Sequence, residues 1–189
     1  MTVKIKKLFF AFALALLLIS GFPANNADAS EISGSYENTL SEFIYNMLLF
    51  VKLPDNAFTG KDSPLRITIL EKENFSDVLK KRIGKRKIGK RPLLIEKKDH
   101  IDQIMPAHVL FIGKEMAGDI DRILDSVYTK PVLTMGDSDG FAKKGVILNY
   151  YTDRERINFE SNIGAAKLAG IEISSELLKL SVIVRSEGR

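Results

Sequence analysis

The sequence predicts an α/β domain: a mostly parallel sheet with helices on both faces and an antiparallel hairpin at one edge. Three observations carry this. Apolar, β-rich runs at residues 65–70, 107–112 and 131–135 alternate with segments of helical spacing. Residues 107–112 (AHVLFI) are almost continuously apolar, as a strand covered on both faces must be. Towards the end the alternation breaks, and residues 146–151 and 156–160 flank the turn Thr152-Asp153-Arg154 as a hairpin.

Residues 1–29 read as a secretory signal peptide. Lys4, Lys6 and Lys7 form a positive start, residues 8–19 are apolar, and Ala27-Asp28-Ala29 is an A-x-A cleavage site. The apolar run of about 12 residues is too short to span a bilayer of roughly 30 Å. No cysteine near position 30 can accept lipid. The expected mature chain is a single domain over residues 30–189, and its net charge falls from +4 to about +2. Export is expected to place it outside the cytoplasm.

The mature elements follow in order. Residues 30–37 are a polar lead. Leu40, Phe43, Ile44, Met47, Leu48 and Val51 form one helical stripe, which Pro54 ends. Residues 65–70 (LRITIL) are the first strand, and residues 75–83 a short helix with Asn74 or Ser76 as its cap. Residues 80–91 carry eight cations in twelve positions. Residues 93–96 read as a strand, 97–105 as a turn of helix, 107–112 as the buried strand, 114–128 as a helix and 131–135 as the next strand. After the hairpin, residues 162–169 form a small-residue helix with Gly170 at its end, and Ser174 or Ser175 caps a last helix from 176 to about 184.

Composition excludes much chemistry. Without cysteine there is no thiolate metal site, cysteine nucleophile or redox pair, and two histidines cannot supply a histidine-rich metal site. We therefore expect no metal and no cofactor. Residues 84–90 (GKRKIGK) match the spacing of a phosphate-binding loop. However, Arg91 stands where Ser or Thr would ligate magnesium, and the segment precedes a strand instead of following one. A solvated basic hairpin is the better reading, and the run lacks the aromatics that stack bases, which argues against nucleic acid. An electrostatic contact with the envelope is a further reading. Residues 136–140 (GDSDG) match the G-x-S-x-G elbow, yet no helix is expected after them, and His100 and His108 both precede Ser138. A turn capped by Asp side chains explains them better, and the acidic spacing fits no calcium loop. His108 reads as a hydrogen-bonded core histidine and His100 as exposed. No catalytic constellation emerges.

Residues 156–162 (RINFESN) have another character. Ile157 and Phe159 alternate with polar neighbours, and Glu160 and Asn162 meet a helix start, where Asn162 can cap and Glu160 is favoured by the helix dipole.

Taken in order, HVLFI from His108, PVLT from Pro131, Gly140-Phe141-Ala142, Gly145-Val146-Ile147, Ile157-Asn158-Phe159-Glu160, Asn162, Ala165-Ala166 and SSELL from Ser174 resemble the YfiR family of periplasmic regulatory proteins. The resemblance spans roughly the mature chain and is strongest over residues 108–180. It implies a Rossmann-like fold, a homodimer and no catalysis. It also implies a partner: the family's namesake represses an inner-membrane diguanylate cyclase through the cyclase's periplasmic portion, controlling cyclic-di-GMP and biofilm formation. Two positions depart from the family, Leu53 in place of an aromatic before Pro54 and Ser161 in place of an apolar residue, and the disulfide cysteines that members often carry are absent.

On this reading Phe141, Phe159, Glu160 and Asn162 form the partner-binding or ligand-binding neighbourhood, the aromatics as anchors and Glu160 as orienting group. The alternative is a periplasmic sensor of a small ligand, held in the crevice at the carboxyl ends of the strands.

Overall fold

Residues Leu65–Leu70 become strand β2, in which every residue but the half-buried Arg66 is buried. In the computed structural model, which describes residues 29–71, 74–153 and 156–186, β2 lies inside an eight-stranded sheet. The backbone divides into two compact units, Met1–Gly34 and Ser35–Arg189. Of the first, residues 29–34 are described and are helical. The charged start, apolar run and most of the cleavage site of the expected signal peptide lie outside the described residues. Among the described residues no helix is long and apolar enough to cross a membrane.

The elements in chain order are α1 (Ala29–Leu48), β1 (Val51–Lys52), β2, α2 (Phe75–Ile83), β3 (Lys87–Ile88), β4 (Arg91–Lys98), β5 (Val109–Ile112), α3 (Ile120–Ser126), β6 (Leu133–Gly136), α4 (Phe141–Lys144), β7 (Leu148–Asp153), β8 (Arg156–Asn162), α5 (Ile163–Leu168), β9 (Glu172–Ile173), α6 (Ser175–Leu178) and β10 (Val182–Val184). The large sheet runs β10-β8-β7-β6-β5-β2-β4-β3, and β1 pairs with β9 in a separate ribbon. Strands β4, β2, β5, β6 and β7 are parallel neighbours, and β7 and β8 form the antiparallel hairpin. The predicted class is the observed one. The chain leaves β2 for β4 on one side and returns to β5 on the other, so strand order reverses at β2, the place where such sheets open a crevice at their carboxyl ends.

Alternation decides which helix covers which face. Leu110 and Ile112 of β5 join Ile120, Ile123 and Leu124 of α3 and Phe141 of α4 in one core cluster. Phe111, between them, points the other way. It lies 5.1 Å from the Phe75 ring of α2 and 6.2 Å from the Tyr150 ring, which Phe43 of α1 meets edge-on at 6.0 Å. The predicted stripe on α1 is buried from Leu40 to Leu48, while Val51 leaves the helix for β1, paired with Ile173.

Several elements differ from expectation for physical reasons. The lead 30–37 belongs to α1. Residues 97–105 complete β4 and then make a short 3-10 turn at Ile101–Gln103. The helix expected over 114–128 opens as a 3-10 turn, Lys114–Asp119, and becomes α-helical only at Ile120; Gly118, a weak helix former, sits in that turn. The last helix is one turn, and the β-branched run Val182-Ile183-Val184 pairs with β8 as a parallel edge strand. The residue at the start of α2, Asn74, makes no side-chain cap. Glu71 accepts the Ser76 N–H at 2.7 Å instead.

The cationic run forms the β3–β4 hairpin, with Gly89 at φ +61° in its turn. Its arginines are structural. Arg86 grips both carboxylate oxygens of Glu42 at 2.7 Å and covers the Tyr45 ring, and Arg82 reaches Glu42 at 2.8 Å. Arg91 lies 3.6 Å over Phe58 and donates to the Gly60 and Ser63 carbonyls. The lysines at 80, 81, 85, 87 and 90 are exposed.

Candidate functional site

The block after β6 is built around polar side chains that tie backbone together. Gly136 ends β6, and Gly140, at φ +78°, turns the chain into α4. Phe141 then drops into the core with 3% exposure. Gly136 is needed at this approach, because a Cβ there would stand 2.6 Å from Phe141 Cδ2. In β7 the Asn149 amide donates to the Ser138 carbonyl at 2.9 Å and to Glu160 Oε2 at 3.0 Å. Asn149 and Glu160 are register partners across the hairpin, so one amide fixes the turn and orients the carboxylate.

Asn162 closes the corner. Its Oδ1 accepts the Ala165 N–H at 2.9 Å, capping α5 as expected, and its Nδ2 donates to the Ala142 carbonyl and Ser186 Oγ, both at 2.8 Å. Gly170, at φ +67°, follows the end of α5.

The four residues expected to form the binding neighbourhood thus sort by exposure. Phe159 is 5% exposed and packs edge-on against Phe43 at 5.4 Å. Phe141 and Asn162 are also buried, with 3% and 0% exposure. In this conformation none of the three presents its side chain to a partner, because each is consumed by packing or capping. Glu160 is half-buried and reaches the surface. Beside it runs β10, with Val182 registered against Glu160 and Val184 against Asn162. Val182, Ile183 and Ile163, at 51%, 47% and 43% exposure, are large apolar side chains left to solvent. β10 has no further strand beyond it among the described residues, so its outer backbone edge is unpaired. The opposite edge, β3, lies between exposed lysines, a usual protection against strand addition. The two edges of the sheet are treated differently.

The hydrolase elbow finds no support. A helix does follow Ser138, but His108 precedes β5, at the amino edge of the parallel strands, while Ser138 lies beyond the carboxyl end of β6. Both imidazole nitrogens are engaged: Nδ1 accepts the Arg66 N–H at 2.9 Å and Nε2 faces the Ala57 carbonyl at 2.9 Å. Those roles define a neutral ring protonated at Nε2. Burial, offset in part by the Ala57 carbonyl, with Arg66 and Arg91 nearby, holds its pKa below the usual histidine range. Among the described residues no group of three His, Cys, Asp or Glu is placed to hold a metal.

Sequence reasoning missed one cluster. Asp137, Tyr150 and Tyr36 meet at the carboxyl edge of the sheet. Burial first, then the Glu115 charge, pushes the Asp137 carboxyl up to about 6. A polar Asn149 and a Tyr150 inside an otherwise apolar strand run were the available signal.

A family model described as YfiR/HmsC-like matches residues 38–182. No curated protein matches the chain. Among solved structures, a conserved domain protein from Vibrio cholerae superposes with TM-score 0.54 at 13% identity, covering 80% of this chain and 60% of that one. The open, ligand-free form of a substrate-binding protein with adhesive properties from Clostridium difficile gives TM-score 0.48 at 11% identity, covering 67% of this chain and 55% of its own. The chain thus spans about 60% of the Vibrio protein's length, and at such identity the likeness is one of fold.

Proposed function

Because the chain belongs to the YfiR/HmsC-like family, we propose that it is a periplasmic regulator without catalysis of its own, which binds the periplasmic part of an inner-membrane signalling enzyme such as a diguanylate cyclase and represses it. The observation that supports this best is the corner where β8 meets α5. A half-buried Glu160, oriented by Asn149, stands next to an unpaired sheet edge whose apolar side chains Val182 and Ile183 face solvent. An edge of this kind takes an extended partner segment through backbone hydrogen bonds, and exposed apolar side chains supply burial on contact. Glu160 gives the contact a charge to orient. Phe141, Phe159 and Asn162 serve this surface from beneath, holding the strand-to-helix corner rigid. In this reading the protein acts as a homodimer and needs no metal or cofactor.

The test is regulatory. In cells of the source organism, producing the mature chain in the periplasm lowers cyclic-di-GMP, and Ile183→Asp with Glu160→Lys restores it while leaving the protein folded. Unchanged cyclic-di-GMP on production of the intact chain defeats the repressor reading.

A further inference from the structure

We propose that the side-chain cluster at the carboxyl ends of β5 and β6, formed by Asp137, Glu115, Tyr150 and Tyr36, binds the ammonium group of a small organic amine. The site is distinct from the β10 edge and its argument does not rest on the regulatory reading.

Register brings its parts together. Ile112 pairs with Gly136, so the next residues, Gly113 and Asp137, leave neighbouring strands side by side. Glu115 folds back over Gly113, its carboxylate 2.6 to 2.9 Å from where a Cβ would be. Asn149 pairs with Gly136, which puts Tyr150 one step beyond, at the same level as Asp137. Tyr36 sits seven residues before Phe43 on α1, the same helix face that packs on the Tyr150 ring, and is 37% exposed at the rim. Glu71, buried at the end of β2, extends the acidic line across the point where strand order reverses.

Two observations say that something polar is wanted there. Tyr150 is 1% exposed, and its hydroxyl has no hydrogen-bond partner. Asp137 Oδ1 is buried and equally unpartnered. The Tyr150 hydroxyl faces both the Asp137 carboxyl and the Tyr36 hydroxyl, and each shifts its ionisation, but neither contact closes at hydrogen-bonding geometry. Buried polar atoms are nearly always paired, so two orphans side by side mark a place where an external donor fits. The field selects its sign. Burial first and the Glu115 charge second raise the Asp137 carboxyl, against the Tyr150 hydroxyl and Lys114, and burial and the same Glu115 charge raise Glu71, against the Ser76 N–H and Lys97. A cation relieves that repulsion. The carboxylates lie along the sheet edge and do not converge as metal ligands do, which favours an ammonium on an organic body over a bare ion. One ammonium can give Asp137 Oδ1 and Tyr150 Oη the donors they lack and lie against the electron-rich Tyr36 ring.

The test is titration of the full mature chain with putrescine and n-butylamine, and with neutral 1,4-butanediol as control, followed by calorimetry and by tyrosine chemical shifts. Saturable binding of both amines and none of the diol is expected. Asp137→Asn weakens amine binding at least tenfold, Tyr150→Phe weakens it several-fold, and Glu176→Gln, on the exposed surface of α6, leaves it unchanged. Affinity rises with pH through about 6, as Asp137 ionises. No saturable amine binding, equal binding of the diol, or an Asp137→Asn variant with undiminished affinity overturns the assignment. Should Asp137→Asn fail to fold, Tyr150→Phe carries the same comparison.

Discussion

Asn162 donates its side-chain amide to the Ala142 carbonyl at 2.8 Å, joining the end of β8 to the one-turn helix that follows the glycine-rich turn. The same side chain caps α5. Asn162→Ala removes the cap, about 1 kcal/mol, and the bond to the Ala142 carbonyl, about 0.5–1.5 kcal/mol more, that carbonyl keeping the Gly145 N–H. Urea unfolding should show a lower midpoint with an unchanged slope. Asn162→Asp keeps the cap and loses the donor, so it should fall between wild type and alanine.

Glu42 holds two arginines of the cationic run. Partial exposure limits what this is worth, but the grip on Arg86 is bidentate. Glu42→Ala should cost about 1–2 kcal/mol at moderate salt. In a double-mutant cycle with Arg86→Ala the effects should fall short of additive. Additive losses would show that the pair contributes no coupling.

Gly136→Ala forces its methyl to within 2.6 Å of the Phe141 ring. Phe141 is packed into the α3 cluster and has little room to turn. A loss of about 1–3 kcal/mol is expected in thermal or urea melts. The same substitution at Gly140 meets no atom within 4 Å but requires φ +78°, so its penalty is backbone strain of about 1 kcal/mol.

Asp137 and His108 give opposite pH dependences. Folding raises the Asp137 pKa from 3.8 to about 6, so between those values the folded chain binds more protons than the unfolded chain. Its contribution to stability therefore falls as pH rises through that window and is flat above it. Asp137→Asn should erase the fall and be more stable at pH 7 by on the order of 3 kcal/mol. For His108 folding lowers the pKa below 6.5, so its contribution is full above that value and is lost as pH falls. An imidazole NMR titration should give a midpoint below 6.5. A midpoint at or above it contradicts the assigned hydrogen bonds.

The elements that could be read from the sequence were those with a strong period or a strong breaker. The α1 stripe, LRITIL and the hairpin are visible because their apolar spacing matches the face they bury, and the Asn162 cap because side-chain chemistry at a helix start is local. Residues 176–184 were misread because apolar spacing over two turns resembles an exposed edge strand of three residues. Only pairing with β8 decides between them. The same limit affects the site. That Phe141 and Phe159 are aromatics near a polar corner is legible, but whether they face outward depends on α1 and α3, which lie far away in sequence. The Asp137–Tyr150 pair is a tertiary fact with a faint local mark.

The proposed regulator works through the β10 edge, and in-cell photo-crosslinking tests that most directly. A photoreactive benzoylphenylalanine at Ile183, 47% exposed, is compared with one at Tyr128, 50% exposed and after α3. The account predicts a covalent adduct between position 183 and a membrane protein that carries a cytoplasmic signalling domain, absent from position 128. No such adduct at 183, or the same adducts from both positions, contradicts it.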